Sequence, residues 1–278
     1  MRKLWQREKQ RIVELAKAVV RSCRQSAVWK RSSAVLIPKP GKESYTKLNA
    51  YRSMSVPSCL GKVVEKVVAE LLAEQAERRG LHSNGQYGSR KRQSAIDKVA
   101  IMVDRAHAAW RQGHIAGVLL MDTKAAFPSV GRGRLLDTMR GKRMDRDLKR
   151  WTASVLTDCT VEMVIEGNVI GRHPVAAGIP PGSPVSAILF AIYTSGLMKW
   201  VEQRVARAKA LSFLDDVRWV ATGNDANQVV SKLEACARVS IECAERWELK
   251  FHTAKTDGHS SHIDEATRCT RVRSWQRR

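Results

Sequence analysis

Paired cysteines, long apolar runs and internal repeats are all missing from this 278-residue sequence. Its six cysteines are scattered without a CxxC pair, which predicts reduced thiols rather than a zinc site or a disulfide framework. No stretch approaches the roughly 18 consecutive apolar residues that a membrane-spanning helix needs. The start of the chain lacks a short apolar core with a cleavage site, so we predict no secretory signal. It is basic and amphipathic enough for a mitochondrial targeting segment, although Glu8 and Glu14 argue against one.

Acidic residues are the scarce charge in this chain. The sequence has 27 Asp and Glu against 49 Lys and Arg, a formal net charge of +22 and a pI near 10.3. A folded domain tolerates such self-repulsion most readily when its partner is a polyanion. Nucleic acid is the leading candidate, because neutralised phosphates release counterions. A basic surface without function and an anionic membrane are the alternatives, although no single segment concentrates the charge.

The order of patterns along the chain predicts an α+β fold. Apolar residues at helical spacing predict helices, and apolar runs bounded by turn residues predict strands. The predicted order is an amphipathic helix over 1–30, a strand over 33–38, helices over 58–79 and 94–112, a strand over 115–122, two helices within 131–158, a hairpin over 160–170, a helix over 185–206, two short strands within 211–220 and a helix over 225–247. We expect the helices to lie on one face of a small antiparallel sheet.

Three carboxylates stand at the ends of predicted strands. Asp122 ends the apolar run of residues 115–122, and Asp215 and Asp216 lie at the turn between two further short strands. Adjacent carboxylates repel one another unless cations neutralise them, and their oxygen atoms suit hard divalent ions, above all Mg²⁺. Two such ions about 3.5–4 Å apart would activate a 3′-hydroxyl group and stabilise a leaving pyrophosphate. The alternative is a solvated hairpin tip, since Asp is common in turns.

Six segments in a fixed order carry a resemblance to a known family. FLDD resembles the (F/Y)xDD motif of reverse transcriptases, LLMDTKAAF their first catalytic motif, and GIPPGSPVSAILFAIY the segment between these two. Upstream, VLIPKPGKESYTKLNAYRSMSVPSCLGKVVEKV and QYGSRKRQSAID look like segments of non-LTR retrotransposon enzymes. Downstream, LKFHTAKTD resembles their LxxNxxKT element. The matching segments run from about residue 33 to residue 257, so the chain resembles the reverse transcriptase of a non-LTR (LINE-like) retrotransposon.

The resemblance implies a polymerase fold and roles for individual residues. The palm would be a ferredoxin-like antiparallel sheet with helices on one face, joined to a fingers subdomain of mixed helices and strands. Asp122 and Asp215 would be the metal ligands, and Asp216 would be the neighbouring catalytic carboxylate. Phe127 would be the steric gate that excludes a ribonucleotide 2′-hydroxyl group, with an ordinary core phenylalanine as the alternative.

The resemblance also implies a set of nucleotide-binding and template-binding residues. Basic residues would contact the template or the incoming triphosphate, with solvated surface charge as the alternative for each; they are Lys39, Lys42, Arg52, Lys62 and Arg90. Pro181, Gly182 and Ser183 would line the nucleotide and primer-template site, where glycine permits close backbone approach. Lys255 would lie near the pyrophosphate.

The function that the resemblance implies is RNA-directed DNA polymerisation. Two Mg²⁺ ions would be the cofactors, with Mn²⁺ as a substitute. The partners would be an RNA template, a DNA primer and deoxynucleoside triphosphates, with no membrane and no obligate protein partner evident. Such a protein is intracellular, and the nucleus is compatible with this function.

The sequence departs from the family pattern near the expected site. Pro181 replaces the family's Gln, Ser53 replaces the Pro of a Tyr-Arg-Pro element, and Pro128 follows Phe127 where the family has Asp. These changes keep two other interpretations open. One is a catalytically inactive, nucleic-acid-binding remnant, and the other is a reverse transcriptase of the group II intron type.

The resemblance also suggests a domain organisation. We expect an N-terminal helix over residues 1–30, a fingers subdomain over 31–115 and a palm over 116–257. The resemblance stops near residue 257, and residues 258–278 have few apolar residues and no periodicity, which predicts a disordered basic tail. Because the family's thumb would follow at this point, we expect a truncated chain whose tail arises from a frameshift.

Overall fold

The structure is a computed structural model that describes residues 2–47, 50–165, 168–252, 257–261 and 270–272. The helices are α1 (Arg2–Ser22), a short 3-10 helix (Ala27–Lys30), α2 (Cys59–Arg78), α3 (Ala95–Arg111), α4 (Arg132–Gly141), α5 (Arg146–Leu156), α6 (Ser186–Arg204) and α7 (Ala226–Arg246). The strands are β1 (Arg31–Pro38), β2 (Tyr51–Pro57), β3 (Ile115–Asp122), β4 (Thr160–Ile165), β5 (Asn168–Pro174), β6 (Ala208–Phe213), β7 (Asp216–Gly223), β8 (Asp257–Ser261) and β9 (Thr270–Val272).

Local sequence signals account for the ends of several helices. At the start of α3, the Ser94 side chain accepts from the Asp97 N–H, and the Asp97 side chain accepts from the Ser94 N–H, which completes a capping box. Helices α2 and α3 end just before glycines, as predicted. The N–H groups of Gly80 and of Gly113 bond to helix carbonyls three residues back, at 3.0 and 2.9 Å. These bonds satisfy carbonyl groups that would otherwise lack a partner at the helix end.

The chain forms two compact units, and each unit is built from two separate stretches of sequence. Unit 1 consists of Met1–Gln75 and Arg132–Ser186, and unit 2 consists of Ala76–Gly131 and Ala187–Arg278. This division differs from the contiguous fingers and palm segments that we expected, with their boundary after residue 115. The physical reason is that strand pairing joins residues far apart in sequence, which a reading along the chain does not detect.

Unit 1 contains a mixed four-stranded sheet in the order β2-β1-β4-β5. Strand β1 pairs antiparallel with β2 and parallel with β4, whereas β4 and β5 form the predicted hairpin. Its turn residue Gly167 lies outside the described residues. The largest side chains buried in this unit are Leu72, Leu135, Met139, Trp151 and Ile179.

Unit 2 contains a five-stranded sheet in the order β6-β7-β3-β8-β9, in which all neighbouring strands are antiparallel. Ile101 and Met102 of α3 pack against the cluster that contains Leu211 of β6. The next residue, Ser212, points to the opposite face, because side chains alternate along a strand. There its hydroxyl lies 3.4 Å from the Met198 sulfur of α6.

The predicted α+β class is therefore confirmed, as is the predicted antiparallel sheet. The expectation that helices cover one face of that sheet needs correction, because α3 and α6 lie on opposite faces. Amphipathic periodicity shows that a helix is half-buried, but it does not show which face of the sheet the helix covers. The largest side chains buried in unit 2 are Met121, Leu189, Phe190, Ile192, Tyr193, Leu197 and Trp219.

The C-terminal stretch also differs from expectation. We predicted a disordered tail over residues 258–278, but Asp257–Ser261 forms β8, which pairs with β3, and Thr270–Val272 forms β9. The prediction rested on the low apolar content of this stretch. Backbone hydrogen bonding to an existing strand needs no apolar side chain, and this pairing is what composition alone does not reveal.

Among the helices in the described ranges, none has both the length and the apolar character needed to cross a membrane.

Gly85 provides a test of how closely the backbone packs in unit 2. Its carbonyl accepts from the Ser212 N–H at 2.7 Å, and a β-carbon at Gly85 would overlap the Ala210 carbonyl oxygen. We expect Gly85→Ala to lower the free energy of unfolding by about 1–3 kcal/mol or more, because backbone atoms must move. The measurement is urea unfolding. The matched control is Gly133→Ala, where an added β-carbon meets nothing within 4 Å. Equal stability of the two variants would contradict the close approach.

Candidate active site

Two paired strands bring the predicted catalytic carboxylates together. Strands β3 and β7 pair antiparallel in a register that places Asp122 directly opposite Asp216. Asp215 occupies the adjoining turn, where its carbonyl oxygen accepts from the backbone N–H and the hydroxyl of Thr123, both at 3.2 Å. The Asp122 carbonyl accepts from the His252 N–H at 2.8 Å. The backbone that carries the carboxylates is thus fixed by hydrogen bonds.

A lysine that the sequence analysis missed neutralises one of these carboxylates. The Lys98 ammonium of α3 lies 2.5 Å from Oδ2 of Asp216, and Arg218 contacts the same oxygen at 3.2 Å. The Lys98 side chain is only 3% exposed, against 41% for Asp216. Burial lowers the pKa of Lys98, although the carboxylate of Asp216 opposes this shift. A sequence signal for this buried lysine was available. Lys98 precedes Ile101 by three residues and Met102 by four, and this spacing places it on the same, buried face of α3.

The carboxylates have the oxygen ligands that hard divalent ions prefer. Asp215 is exposed and Asp122 is half-buried. Within the described part of the chain, no group of three or more His, Cys, Asp and Glu side chains is arranged to hold a metal ion. Mg²⁺ is commonly bound through one or two carboxylates together with water and substrate phosphates. The chemistry of these oxygen donors is therefore compatible with a hard divalent ion whose remaining ligands are water and substrate.

Phe127 lies just beyond the strand that carries Asp122. Its ring is half-buried and meets the buried ring of Phe190 edge to face, with 5.4 Å between the ring centroids. The contact explains how the ring is held in place. Since part of the side chain is accessible, the geometry is compatible with a steric gate as well as with a packing role.

The Arg90 side chain forms its hydrogen bonds to other residues of unit 2. Its guanidinium group makes a bidentate contact with Glu77 at 2.6 and 2.8 Å and donates to the Gln86 carbonyl at 3.1 Å. The side chain is 16% exposed, and its hydrogen bonds lower the pKa of Glu77. The structure thus shows a partner for Arg90 within the fold, whereas we expected a contact with template or triphosphate.

The other predicted cations lie in unit 1 on β2, on α2 and in the connection between β1 and β2. Lys42 and Arg52 are exposed, whereas Lys39 and Lys62 are half-buried. The Lys39 backbone is held at both its polar groups, because its N–H donates to Ala50 and its carbonyl accepts from the Tyr45 hydroxyl, both at 2.8 Å. Lys255, a further predicted contact, lies outside the described residues.

The predicted nucleotide loop is a tight turn in unit 1. The Ser55 N–H donates to the Pro181 carbonyl at 3.0 Å. Gly182 has φ +97° and lies so close to Ser55 that an added β-carbon would be 2.5 Å from its carbonyl oxygen. Only glycine satisfies both constraints. Ser183 is 7% exposed, and its hydroxyl donates to the Glu65 carboxylate at 2.5 Å. The resemblance implied that Ser183 lines the nucleotide and primer-template site, whereas the structure directs its hydroxyl to Glu65 inside the fold.

The Lys98–Asp216 pair generates a test of stability. Asp216→Asn leaves a buried ammonium without its counter-charge, so we expect a loss of about 3 kcal/mol in the free energy of unfolding. Lys98→Met leaves a partly exposed carboxylate that retains Arg218, so the loss should be smaller. Urea unfolding of both variants and of the double variant measures the effects, and the double variant should be more stable than Asp216→Asn alone. Equal losses in the two single variants would contradict a buried ion pair.

Comparison with known sequences identifies the family. The sequence profile described as reverse transcriptase (RNA-dependent DNA polymerase) matches residues 37–271. This match corrects our expectation that the resemblance stops near residue 257. The chain is 23% identical over 231 residues to the probable RNA-directed DNA polymerase from transposon BS of Drosophila melanogaster, and 24% identical over 234 residues to the RNA-directed DNA polymerase from the mobile element jockey of the same organism. Each alignment covers 82% of this chain and 25% of the relative.

Solved structures support the same fold. Telomerase of Candida tropicalis, truncated from its C-terminal domain, superimposes with a TM-score of 0.61 and 12% identity, covering 92% of this chain and 56% of that one. Telomerase of Candida albicans, solved with a fragment of telomeric RNA, gives a TM-score of 0.62 and 13% identity, covering 92% of this chain and 46% of that one. At this identity the likeness concerns the fold alone.

The resemblance to reverse transcriptases of non-LTR retrotransposons is thus confirmed by a profile that spans most of the sequence and by relatives from mobile elements. This chain belongs to the reverse transcriptase (RNA-dependent DNA polymerase) family.

Proposed function

We propose that this chain is the RNA-directed DNA polymerase domain of a retroelement and acts by template-directed nucleotidyl transfer. The observation that carries the proposal is the register of β3 and β7, which sets Asp122 opposite Asp216 with Asp215 in the adjoining turn. The chain spans 25% of the length of the relatives named above. The polymerase activity of this chain is therefore a proposal, because those relatives are much longer proteins.

Members of this family generally use divalent metal ions. We propose two Mg²⁺ ions here, replaceable by Mn²⁺, with Asp122 and Asp215 as their protein ligands. When bound, such ions would activate the primer 3′-hydroxyl group and stabilise the charge on the leaving pyrophosphate. Asp216 is already paired with Lys98 and Arg218. Its role would therefore be to contribute to the electrostatic potential at the site and to fix the backbone beside the two metal ligands, rather than to bind metal.

The substrates proposed for the domain are polyanions. An RNA template, a DNA primer and deoxynucleoside triphosphates suit a chain with a net charge of +22. Lys39, Lys42, Arg52 and Lys62 would bind phosphates of the template or of the triphosphate. Pro181 and Gly182, at the tip of the tight turn, would contact the nucleotide through the backbone. The proposal retains Lys255 as a group near the pyrophosphate.

The two compact units suggest how the subdomains are distributed. Unit 2 carries the carboxylates on an antiparallel sheet and is proposed as the palm. Unit 1 carries Lys39, Lys42, Arg52 and Lys62 together with the tight turn and is proposed as the fingers. Within unit 2, the bidentate bond from Arg90 to Glu77 suits a role in holding the segment that precedes α3.

A catalytically inactive, nucleic-acid-binding remnant is the second candidate. Pro181 favours it, because the family has a glutamine there and proline offers no side-chain amide. The retention of all three carboxylates opposes it. The group II intron type is less favoured, since the relatives named above come from a transposon and a mobile element.

Primer extension separates the candidates. We expect the wild-type chain to extend a DNA primer on an RNA template with Mg²⁺ and deoxynucleotides, and Asp215→Asn to reduce the rate by at least about 10³-fold, because a ligand of the charge-stabilising ion is lost. Asp104→Asn, an exposed carboxylate on α3, is the matched control and should extend normally.

The same assay has a contradicting outcome. Salt-sensitive binding of template-primer by the wild type, without extension in Mg²⁺ or Mn²⁺, would refute the polymerase and support the remnant.

Phe127 generates a prediction about sugar discrimination. If its ring blocks the 2′-hydroxyl group, Phe127→Val should raise incorporation of ribonucleotides relative to deoxynucleotides by about tenfold or more. Phe127→Tyr keeps the ring and should keep the discrimination. The measurement is kcat/KM for matched ribonucleotide and deoxynucleotide pairs. An unchanged ratio combined with lower stability would show that the ring serves only to pack against Phe190.

A further inference from the structure

Glu65 is a buried carboxylate that neither the polymerase chemistry nor the metal ligands explain. It lies on α2 and is 3% exposed. Burial raises the pKa of its carboxyl group, while hydrogen bonds from Ser183 and Gln25 oppose the shift. A carboxylate in this position is costly compared with an apolar side chain, so its presence calls for contacts that an apolar residue could not make.

The two oxygens of Glu65 join two different segments of unit 1. Oε2 accepts from the Ser183 hydroxyl at 2.5 Å, and Oε1 accepts from the Gln25 side-chain amide at 3.1 Å. Gln25 is itself fixed to α5, because its N–H donates to the Ser154 hydroxyl at 3.0 Å. The carboxylate is therefore tied to rigid elements on one side and to the tight turn on the other.

The turn above Glu65 has an exposed tip and a buried base. Gly182 is exposed and Pro181 half-buried, whereas Ser183 is buried directly beneath them. The Pro180 carbonyl accepts from the Ser186 hydroxyl at 2.7 Å and from the Ser183 N–H at 3.2 Å. The base of the turn thus has its hydrogen bonds inside the unit, and only the tip is left to meet a ligand.

We propose that Glu65 is a positioning residue that sets the conformation of the Pro180–Ser183 turn, and so its affinity for the incoming nucleotide. Glu65 acts through the Ser183 hydroxyl and does not touch the nucleotide. This inference rests on the proposed function, because it takes the turn to be a nucleotide contact. It also reassigns Ser183 from a ligand of the nucleotide to a support of the turn.

A set of substitutions isolates the Glu65–Ser183 bond. Glu65→Leu removes both acceptors at similar size. Ser183→Ala removes the bond from the turn to Glu65, together with the weaker 3.4 Å bond from the Val185 N–H to the Ser183 hydroxyl. Glu65→Gln keeps an acceptor and offers an amide donor to the Ser183 oxygen, so it should preserve most of the wild-type behaviour of the turn. Glu70→Gln, an exposed residue of the same helix paired with Lys66 at 3.8 Å, is the matched control.

Two measurements report on the turn without requiring nucleotide transfer. The first is amide hydrogen exchange of a peptide covering residues 179–186. The second uses a dideoxy-terminated primer on an RNA template and measures the deoxynucleotide concentration that half-saturates the stable ternary complex. Primer extension by the wild type and by each variant adds the separate values of KM and kcat.

We expect Glu65→Leu and Ser183→Ala to accelerate exchange in 179–186 and to raise the half-saturating nucleotide concentration and the KM on the order of tenfold, with kcat changed far less. In these readouts the double variant should equal either single variant, since each substitution removes the same Glu65–Ser183 bond. Glu65→Gln should stay within about threefold of the wild type, and Glu70→Gln should match it.

Outcomes that overturn the inference are distinct from failure of the proposed function. Wild-type exchange and KM in both Glu65→Leu and Ser183→Ala would refute the positioning role. Additive effects in the double variant would also refute it, because Glu65 would then act by another route. A wild-type chain that forms no ternary complex would refute the proposed function, and amide exchange would still decide whether Glu65 holds the turn.

Discussion

The in-register antiparallel pairing of β3 with β7 is the constraint on which the candidate site depends. It sets Asp122 directly opposite Asp216, an arrangement in which like charges repel. The fold meets this repulsion with the buried Lys98 ammonium and with Arg218, both on Asp216. Because side chains alternate along a strand, a slip of one residue would turn Asp216 away from the Lys98 ammonium on α3. The register that forms the sheet is therefore the same register that assembles the carboxylates.

Each of the two units contains a buried ionisable side chain with the same structural features. Lys98 and Glu65 each lie on a helix, each is almost inaccessible, and each reaches a segment proposed to have a functional role. Burial shifts the pKa of each towards its neutral form, downwards for Lys98 and upwards for Glu65. Such groups destabilise a fold unless they are hydrogen-bonded or paired, so their retention marks places where the geometry of a neighbouring segment matters.

Much of the local structure could be predicted from sequence. The almost continuous apolar run ending at Asp122 predicted a buried strand, and Ser94 predicted the start of α3. The individual side-chain roles were harder. Arg90 and Ser183 were expected at template or nucleotide, because the family resemblance implied it. Their partners, Glu77 and Glu65, lie 13 and 118 residues away in sequence, so no local pattern reveals them.

The sequence by itself determined the charge of the chain, the order of most of its helices and strands (but not β2, β8 and β9) and the motifs that place it among reverse transcriptases. These depend on composition, periodicity and short spacing, which act within a few residues. Tertiary structure alone decided the pairing of β1 with β4, the division into two discontinuous units, and the partners of Asp216 and Ser183. Each of these depends on contacts between distant residues, and such contacts form only when the chain folds and buries its polar groups against specific partners.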